Sequence, residues 1–486
     1  MLFRKADVDT IKKNIPTLMR ASALAQAAHM SPTSAERLEV RQTILEFIKR
    51  RRRIVYGGHA LNTILTHVSP ENAIYTVEEG SITDIEFYSP TPLHDIVEIC
   101  TTLHKGAHEY VRGKEAMHHN TFTISVEFVR MCDVTYVPES VYSKMPYMSL
   151  DGLHLIDPHF AMIDMLRMLC DPFNSHWRLD RTIDRIDLIQ KCFPPISISP
   201  PEYHPPEDHP QAEALAGASR ALFASRSMSC AAIGRTAISH FLMCCKDDIE
   251  TDTVEHLRRL NGDTTRFVCV TSTKFTEDVN SLIATIDRSG GIISWVFYYP
   301  FMDILDEHCV GSVDDVPFVM VLKSDHTPVP CCECSPVDGM RIASFTQTLL
   351  ITRSMQLWCT SHDEDVARAD RYNSISLLLM TLRNTSQFDD ILDESNPMRE
   401  FELDYIGHPQ RPMRVHMGKT DERMGMLRRH KRGGDETAWF SFDPAKDGGG
   451  GRKYADFSRK RTFLCIDGSI KEVKYSFKED THVTTS

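Results

Sequence analysis

The run Arg53-Ile54-Val55-Tyr56-Gly57-Gly58-His59-Ala60-Leu61-Asn62 constrains this chain more than any other stretch. A β-prone segment ends in two glycines, and a helix-like Ala-Leu-x-x-Ile-Leu segment follows directly. Glycines at such a turn admit backbone conformations and close approaches that a Cβ forbids. A second β-prone run comes next, Ile82-Thr83-Asp84-Ile85-Glu86-Phe87-Tyr88. Strand residues two apart share a face, so Asp84 and Glu86 project together while Ile82 and Phe87 serve packing. Two acids side by side repel unless a cation lies between them. The pair therefore reads as half of a divalent-metal site. Asp133, in Met131-Cys132-Asp133-Val134-Thr135-Tyr136-Val137, supplies a third ligand if its strand is a neighbour.

Composition narrows the class. A length of 486 residues allows about two to four domains. A hydrophobic share of 42% and a charged share of 25% are ordinary for a globular chain with a full core. The net charge of −12 advertises no nucleic-acid partner globally, so any basic surface must be local. The amino terminus has no apolar core of a signal peptide, which argues against secretion. With no apolar run of about 18 residues, no membrane span is expected. Fourteen cysteines without regular spacing read as reduced, mostly buried thiols.

Along the chain, residues 33–50 read as an amphipathic helix, opened by a Thr33-Ser34-Ala35-Glu36 capping box. The basic run from Arg50 to Arg53 is a solvated helix end or a nucleic-acid contact. Residues 91–119 look helical, and Thr121–Val137 looks β-rich, with Phe122, Ile124, Val126 and Phe128 alternating against polar neighbours. Residues 158–193 look helical again. There Arg178, Arg181 and Arg185 fall on one helical face, either a solvated stripe or a clamp for a nucleoside triphosphate. Proline density at residues 194–212 marks an extended linker.

Beyond the linker the chain echoes itself. Ile233-Gly234-Arg235-Thr236-Ala237-Ile238 follows the pattern of Tyr56-Gly57-Gly58-His59-Ala60-Leu61, and Asp338-Gly339-Met340 that of Asp151-Gly152-Leu153. The order is the same, which predicts a duplicated domain. The strand expected to match Asp84 and Glu86 is Arg266–Ser272, which has no acids, so the second copy has lost its metal site. Cys244-Cys245 reads as core. Cys331-Cys332-Glu333-Cys334 lacks the spacing of a zinc knuckle. The last segment crowds Arg428, Arg429, Lys431 and Arg432 between glycines, a solvated loop or an RNA contact. Thr462–Ile470 reads as a hairpin over Asp467-Gly468.

Gly57-Gly58 before a helix, Asp84-x-Glu86 on one strand and Asp133 on another resemble the signature of the DNA polymerase β-like nucleotidyltransferases. The details Tyr-Gly-Gly-x-Ala-Leu-Asn, Asp-Ile-Glu-Phe-Tyr-Ser and Asp-Pro-Phe-x-Ser-x-Trp-Arg (Asp171 to Arg178) resemble the poly(A) polymerase catalytic subunits of large cytoplasmic DNA viruses, those of poxviruses, asfarviruses and giant amoebal viruses. The glycine-to-aspartate spacing is longer than in most of the superfamily, and the second acid is Glu where many members have Asp.

The resemblance implies an α+β fold, a polymerase β-like nucleotidyltransferase domain followed by a degenerate second one. Residues 1–193 would be catalytic, 194–212 the linker, 213–400 the degenerate copy, and 401–486 a basic, Gly-rich region with a hairpin. It implies addition of AMP from ATP to the 3′ end of single-stranded RNA, with two Mg2+ or Mn2+ ions held by Asp84, Glu86 and Asp133. Gly57 and Gly58 would admit the triphosphate, with Arg178, Arg181 and Arg185 as further contacts, and Arg428, Arg429, Lys431 and Arg432 would hold RNA. A homodimer or a processivity subunit is the partner it admits, and the host cytoplasm, a viral factory or the virion the place. Two other readings stand beside it: a nucleotidyltransferase of other base or substrate specificity, and a non-catalytic RNA-binding subunit.

Overall fold

The computed structural model describes residues 4–29, 32–76, 83–116, 121–137, 139–194, 209–226, 229–244, 254–255, 258–259, 261, 267–286, 293–298, 301, 305–324, 328–337, 339–361, 366–385, 390, 392–393, 396–400, 404–407, 441–447, 460–464, 470–474 and 482–485. By packing, the chain divides into two compact units. One is Met1–Ala161 with Lys419–Ala455, the other Met162–Gly418 with Asp456–Ser486. Each unit takes in a carboxy-terminal segment, because strands late in the chain return to both sheets. The α+β expectation is borne out.

In the first unit, α1 (Lys5–His29) leaves Ile11, Ile15, Leu18 and Met19 exposed. The helix α2 (Ser34–Arg51) opens on the predicted capping box, with Thr33 and Glu36 satisfying each other's backbone N–H groups. It buries Val40, Ile44, Phe47 and Ile48. The basic run after it is largely spent on structure. Arg50 and Arg51 reach Glu98 at 2.6 and 2.5 Å, and Arg53 makes a largely buried pair with Asp95 at 2.8 Å. Then come β1 (Ile54–Tyr56), α3 (Gly57–Val68), β2 (Ile85–Ser89), β3 (Arg112–Glu115), β4 (Thr121–Val126), β5 (Val129–Tyr136), β6 (Tyr147–Leu150) and β7 (Leu153–Ile156). With β16 (Ser441–Phe442) they form one sheet, ordered β16-β3-β4-β5-β2-β1-β7-β6. The helix over 92–105 packs on α2 and on this sheet.

Two local expectations are corrected. The helix expected over 91–119 ends at Lys105, because the chain reverses at Gly106 and Ala107, the latter at φ 67°, and enters β3. Phe128 does not alternate into the core. It sits at the β4–β5 turn with φ 69°, 85% exposed. The region over 158–193 is helical but broken, since Pro172 cannot continue the helix that ends at Cys170. A helix starts at Pro210, inside the expected linker, with Pro in its tolerated first-turn position.

The second unit repeats the first. It contains β8 (Cys230–Ala232), β9 (Val268–Ser272), β10 (Ile293–Tyr298), β11 (His308–Val313), β12 (Val316–Lys323), β13 (Val329–Val337) and β14 (Met340–Ala343). With β15 (Asp404–Ile406) and β19 (His482–Thr485), their order is β15-β13-β14-β8-β9-β12-β11-β10-β19. Reversed, the central seven match β3-β4-β5-β2-β1-β7-β6 strand for strand. The directions match as well: β1–β2 and β8–β9 are antiparallel, β2–β5 and β9–β12 parallel, and β1–β7 and β8–β14 parallel.

The copies share structural devices as well as topology. Ser89 donates to Asp95 at 2.6 Å beside Arg53, and Ser272 donates to Asp278 at 2.5 Å beside Arg226. Gly152 and Gly339, at φ 77° and 81°, turn the equivalent β6–β7 and β13–β14 hairpins. β17 (Lys460–Leu464) and β18 (Ile470–Lys474) pair antiparallel as expected, while Asp467-Gly468 lies outside the described residues. Cys331 and Cys332 are buried in β13, but Cys244, expected in the core, is exposed.

Candidate active site

The site is built where β1 runs into α3. Gly57 takes φ 72°, a left-handed conformation that L side chains resist. A Cβ here would lie 1.8 Å from Glu86 Oε2, so the missing side chain is what lets Glu86 stand against the turn. Register supplies the rest. Tyr56 pairs with Glu86 across β1–β2, and Glu86 lies directly beside Asp133 across the parallel β2–β5 pair. Asp84 stands just before β2, two residues from Glu86.

Two of the carboxylates have neighbours that the sequence did not reveal. Asp133 is 5% exposed and accepts a hydrogen bond from the Thr123 hydroxyl on β4. Arg130 spans two of the acids, with one guanidinium nitrogen 2.5 Å from Asp84 Oδ2 and the other 3.4 Å from Asp133 Oδ2. Residues three apart on a regular strand point to opposite faces. Here the β4–β5 register shifts between Ile124 and Ser125, and such a bulge re-aims side chains.

The segment leading into β2 is held from behind. The buried Arg41 guanidinium donates to the Thr83 carbonyl at 2.6 Å and lies 2.8 Å from His59 Nδ1. Burial, and then the charge of Arg41, push the His59 imidazole down to about 3, so it stays neutral. Asn62 Oδ1 accepts from the Ile74 and Tyr75 amides at 2.8 and 2.9 Å, pinning the loop after α3. Tyr56 stacks on Tyr88 at 4.0 Å and bonds Thr135 at 2.7 Å. Burial first, and then Glu86, raise its phenol well above the ordinary value.

Three carboxylates, on β2, just before it and on β5, are a hard oxygen donor set suited to Mg2+ or Mn2+. Their chemistry fits; their spacing is not that of a closed cage. Among the described residues no three His, Cys, Asp or Glu side chains converge tightly enough to hold an ion as they stand. Arg130 occupies the ground between Asp84 and Asp133.

The second copy gives an internal contrast. Gly234 repeats the turn at φ 50°, and Cys269 stands under it as Glu86 stands under Gly57. Counting along the matched registers, Asp84 corresponds to Phe267, Thr123 to Val310, Arg130 to Pro317 and Asp133 to Met320. Arg235 replaces the second glycine, and its guanidinium lies 5.4 Å from the Phe267 ring centroid. Phe267, Cys269 and Met320 line a small cavity. The scaffold is kept; the polar site is gone.

Arg178, Arg181 and Arg185 are not on the carboxylate sheet. They belong to the second unit. Arg178 caps the helix Leu179–Cys192, its guanidinium 5.0 Å from the Trp177 ring centroid, and Arg181 and Arg185 follow along that helix. Arg428, Arg429, Lys431 and Arg432 lie outside the described residues, as do Ile82 and the acid-free strand's Arg266.

Residues 42–175 match the family model described as poly(A) polymerase catalytic subunit, and so include β1 to β7 and all three carboxylates. The resemblance read from the sequence holds. A mimivirus protein named putative poly(A) polymerase catalytic subunit is 37% identical over 185 residues, 38% of this chain and 31% of that one. An African swine fever virus protein of the same name is 27% identical over 159 residues, 32% and 33% of the two chains. The chain thus spans about a third of the length of these curated relatives. The crystal structure of the Megavirus polyadenylate synthase superposes with a TM-score of 0.83 at 24% identity, covering 99% of this chain and 98% of that one. That likeness shows the fold, and it extends over both units.

Proposed function

We propose that this chain is a template-independent polynucleotide adenylyltransferase that adds AMP from ATP to mRNA 3′ ends. The observation that carries this reading is Glu86 placed beside Asp133 under the Gly57 turn, within the segment that matches the catalytic-subunit model. Asp84 and Glu86 would hold two divalent ions, Mg2+ or Mn2+, with Asp133 joining them at the ion beside the RNA 3′ hydroxyl. Bound there, such ions stabilise the attacking and leaving oxygens of an in-line displacement at the α-phosphate.

The chain's own residues do the rest. Gly57 and Gly58 leave the amide-rich start of α3 open to the triphosphate. Thr123 holds Asp133 by its hydrogen bond, and Arg41 fixes the backbone that carries Asp84. Arg178, Arg181 and Arg185 clamp the phosphates, while Arg428, Arg429, Lys431 and Arg432 grip the RNA backbone. Tyr110 and Phe128, exposed and stacked at 5.5 Å, offer a face to an unpaired base.

In this reading residues 1–193 are the catalytic domain, 194–212 the linker, 213–400 the degenerate scaffold and 401–486 an RNA-directed tail. A second copy or a processivity subunit is its protein partner, and the exposed stripe of Ile11, Ile15 and Leu18 on α1 is a surface for one. Among the described residues no helix is long and apolar enough to cross a membrane. We place the activity in the host cytoplasm or viral factory, with packaging in the virion a further location.

Labelled RNA incubated with each nucleoside triphosphate in turn tests this function. ATP should extend the primer, and Asp84→Asn, Glu86→Gln and Asp133→Asn should each abolish extension while the fold survives. Near-normal elongation by these variants would sink the catalytic assignment. Preferred use of another nucleotide would move the chain to a different specificity. Binding of RNA without any extension would make it a non-catalytic subunit.

A further inference from the structure

Arg130 is the one cation that touches two members of the carboxylate set, Asp84 at 2.5 Å and Asp133 at 3.4 Å, among the described residues. These are two of the oxygen donors that the proposed function assigns to divalent ions, and the inference here rests on that reading. A guanidinium ion-paired with Asp84 Oδ2 and hydrogen-bonded to Asp133 Oδ2 stands against the oxygens an ion would need. Two cations crowded into one half-buried site also repel. Arg130 and the ions are therefore competitors for the same ground.

Two further observations separate this contact from an incidental surface pair. The first is the comparison between copies. The register shift that aims Arg130 persists in the second sheet, between Gly311 and Ser312, so the bulge belongs to the scaffold. Yet the residue it carries there is Pro317, and the positions of Asp84 and Asp133 are Phe267 and Met320. The arginine is present in the copy that has the carboxylates and absent from the copy that lacks them. The second is accessibility. The Arg130 side chain is 59% exposed while that of Asp133 is 7% exposed. The guanidinium can rotate into solvent without unpacking the core, whereas the carboxylate cannot leave.

We propose that Arg130 is a displaceable counter-cation of the carboxylate site. It neutralises Asp84 and Asp133 by its contacts with both. Binding of divalent ions expels it, and the acids then close around the ions. Ion binding and guanidinium release are one coupled event, so part of the ions' binding free energy goes into displacing Arg130. This also accounts for Glu86 and Asp133 in register, with Asp84 two residues from Glu86, forming no closed cage as they stand.

The test uses the full chain as wild type, Arg130→Gln and Arg130→Lys, with Mn2+ as the probe. Free Mn2+ is counted by its electron paramagnetic resonance signal in a titration without nucleotide or RNA. Thermal midpoints are recorded in EDTA and at saturating Mn2+. Arg130→Gln should bind Mn2+ about five- to tenfold more tightly, a coupling of ordinary size. It should melt below wild type in EDTA, where the acids have lost their counter-charge, and that gap should close with Mn2+. Arg130→Lys keeps the charge and should return the affinity towards wild type.

Equal or weaker Mn2+ binding by Arg130→Gln overturns the proposal. So does a melting gap that Mn2+ leaves unchanged, which is the mark of a plain structural brace. Asp84→Asn and Asp133→Asn, run alongside, tell the two failures apart. If they lose Mn2+ binding while Arg130→Gln matches wild type, the Arg130 proposal alone falls. If they bind Mn2+ as wild type does, the metal assignment falls and takes this proposal with it.

Discussion

Replacing Gly57 by alanine separates the cost of a backbone conformation from the cost of moving a functional group. At φ 72° an alanine sits in the left-handed region, which costs roughly 1–2 kcal/mol. For a unit of this size that lowers the thermal midpoint by about 2–8 °C. The new Cβ would also fall 1.8 Å from Glu86 Oε2 and 2.8 Å from its Cδ. Both atoms are at the far end of a flexible side chain, so the clash is relieved by swinging the carboxylate away. The fold therefore survives, but Glu86 leaves its place beside Asp133. Misplacing a positioned group by about 1 Å is worth on the order of 100-fold in rate.

The second copy supplies the control. Gly234 has φ 50°, and a Cβ there would lie 3.2 Å from Cys269 Sγ, a tight contact with no carboxylate at stake. Gly57→Ala and Gly234→Ala should lose similar stability, read as urea or thermal midpoints. Single-nucleotide extension of a saturating primer should fall about 100-fold in the first and stay near wild type in the second. Gly57→Ala with activity within a few-fold of wild type would refute the argument. Equal activity loss in Gly234→Ala would refute it too, because the duplicate turn would then be doing chemistry.

Two other outcomes follow from the same structure. His59 is neutral in the folded chain because burial and Arg41 lower its pKa to about 3, against about 6.5 when unfolded. Below pH 6.5 the unfolded chain takes up a proton that the folded chain refuses, so stability falls on acidification by about 1.4 kcal/mol per pH unit at most. His59→Gln should flatten the midpoint-versus-pH curve between about pH 6.5 and 4, and an unchanged curve would show that His59 titrates freely. Neutralising Arg428, Arg429, Lys431 and Arg432 together should weaken RNA binding most at low salt. The salt slope should drop by about 0.7 for each single-strand phosphate that the variant no longer neutralises; superimposable lines in a salt series would make the stretch a solvated loop.

The distinction between what was legible in the chain and what was not runs along the range of the interactions. The Gly57 turn, the Thr33–Glu36 capping box and the echo at Gly234 could be read because each is set by residues a few positions apart. Steric limits on φ and the two-residue period of a strand act locally, and they act the same way in any fold. The duplication was visible for the same reason: its marks are turns, and turns are short-range. Where local signals were ambiguous, reading failed. The apolar residues at 96–103 suggested a helix running to 119, but nothing in that period could show the reversal at Gly106 and Ala107.

Only the tertiary structure decided which distant groups meet the carboxylates. Thr123 reaches Asp133 because β4 folds back on β5, Arg41 reaches Thr83 because α2 lies against the start of β2, and Arg130 reaches Asp84 because one register shift turns it round. The short β16 and β19 strands likewise join partners, β3 and β10, that lie far earlier in the chain. Such pairings are fixed when all strands of a sheet compete for partners and one arrangement buries the most apolar surface with its backbone groups satisfied. The sequence by itself proposed the acids, from spacing within one strand and its neighbour. Which cation stands among them, and that Glu86 and Asp133 lie side by side, was settled by register, a property of the whole sheet.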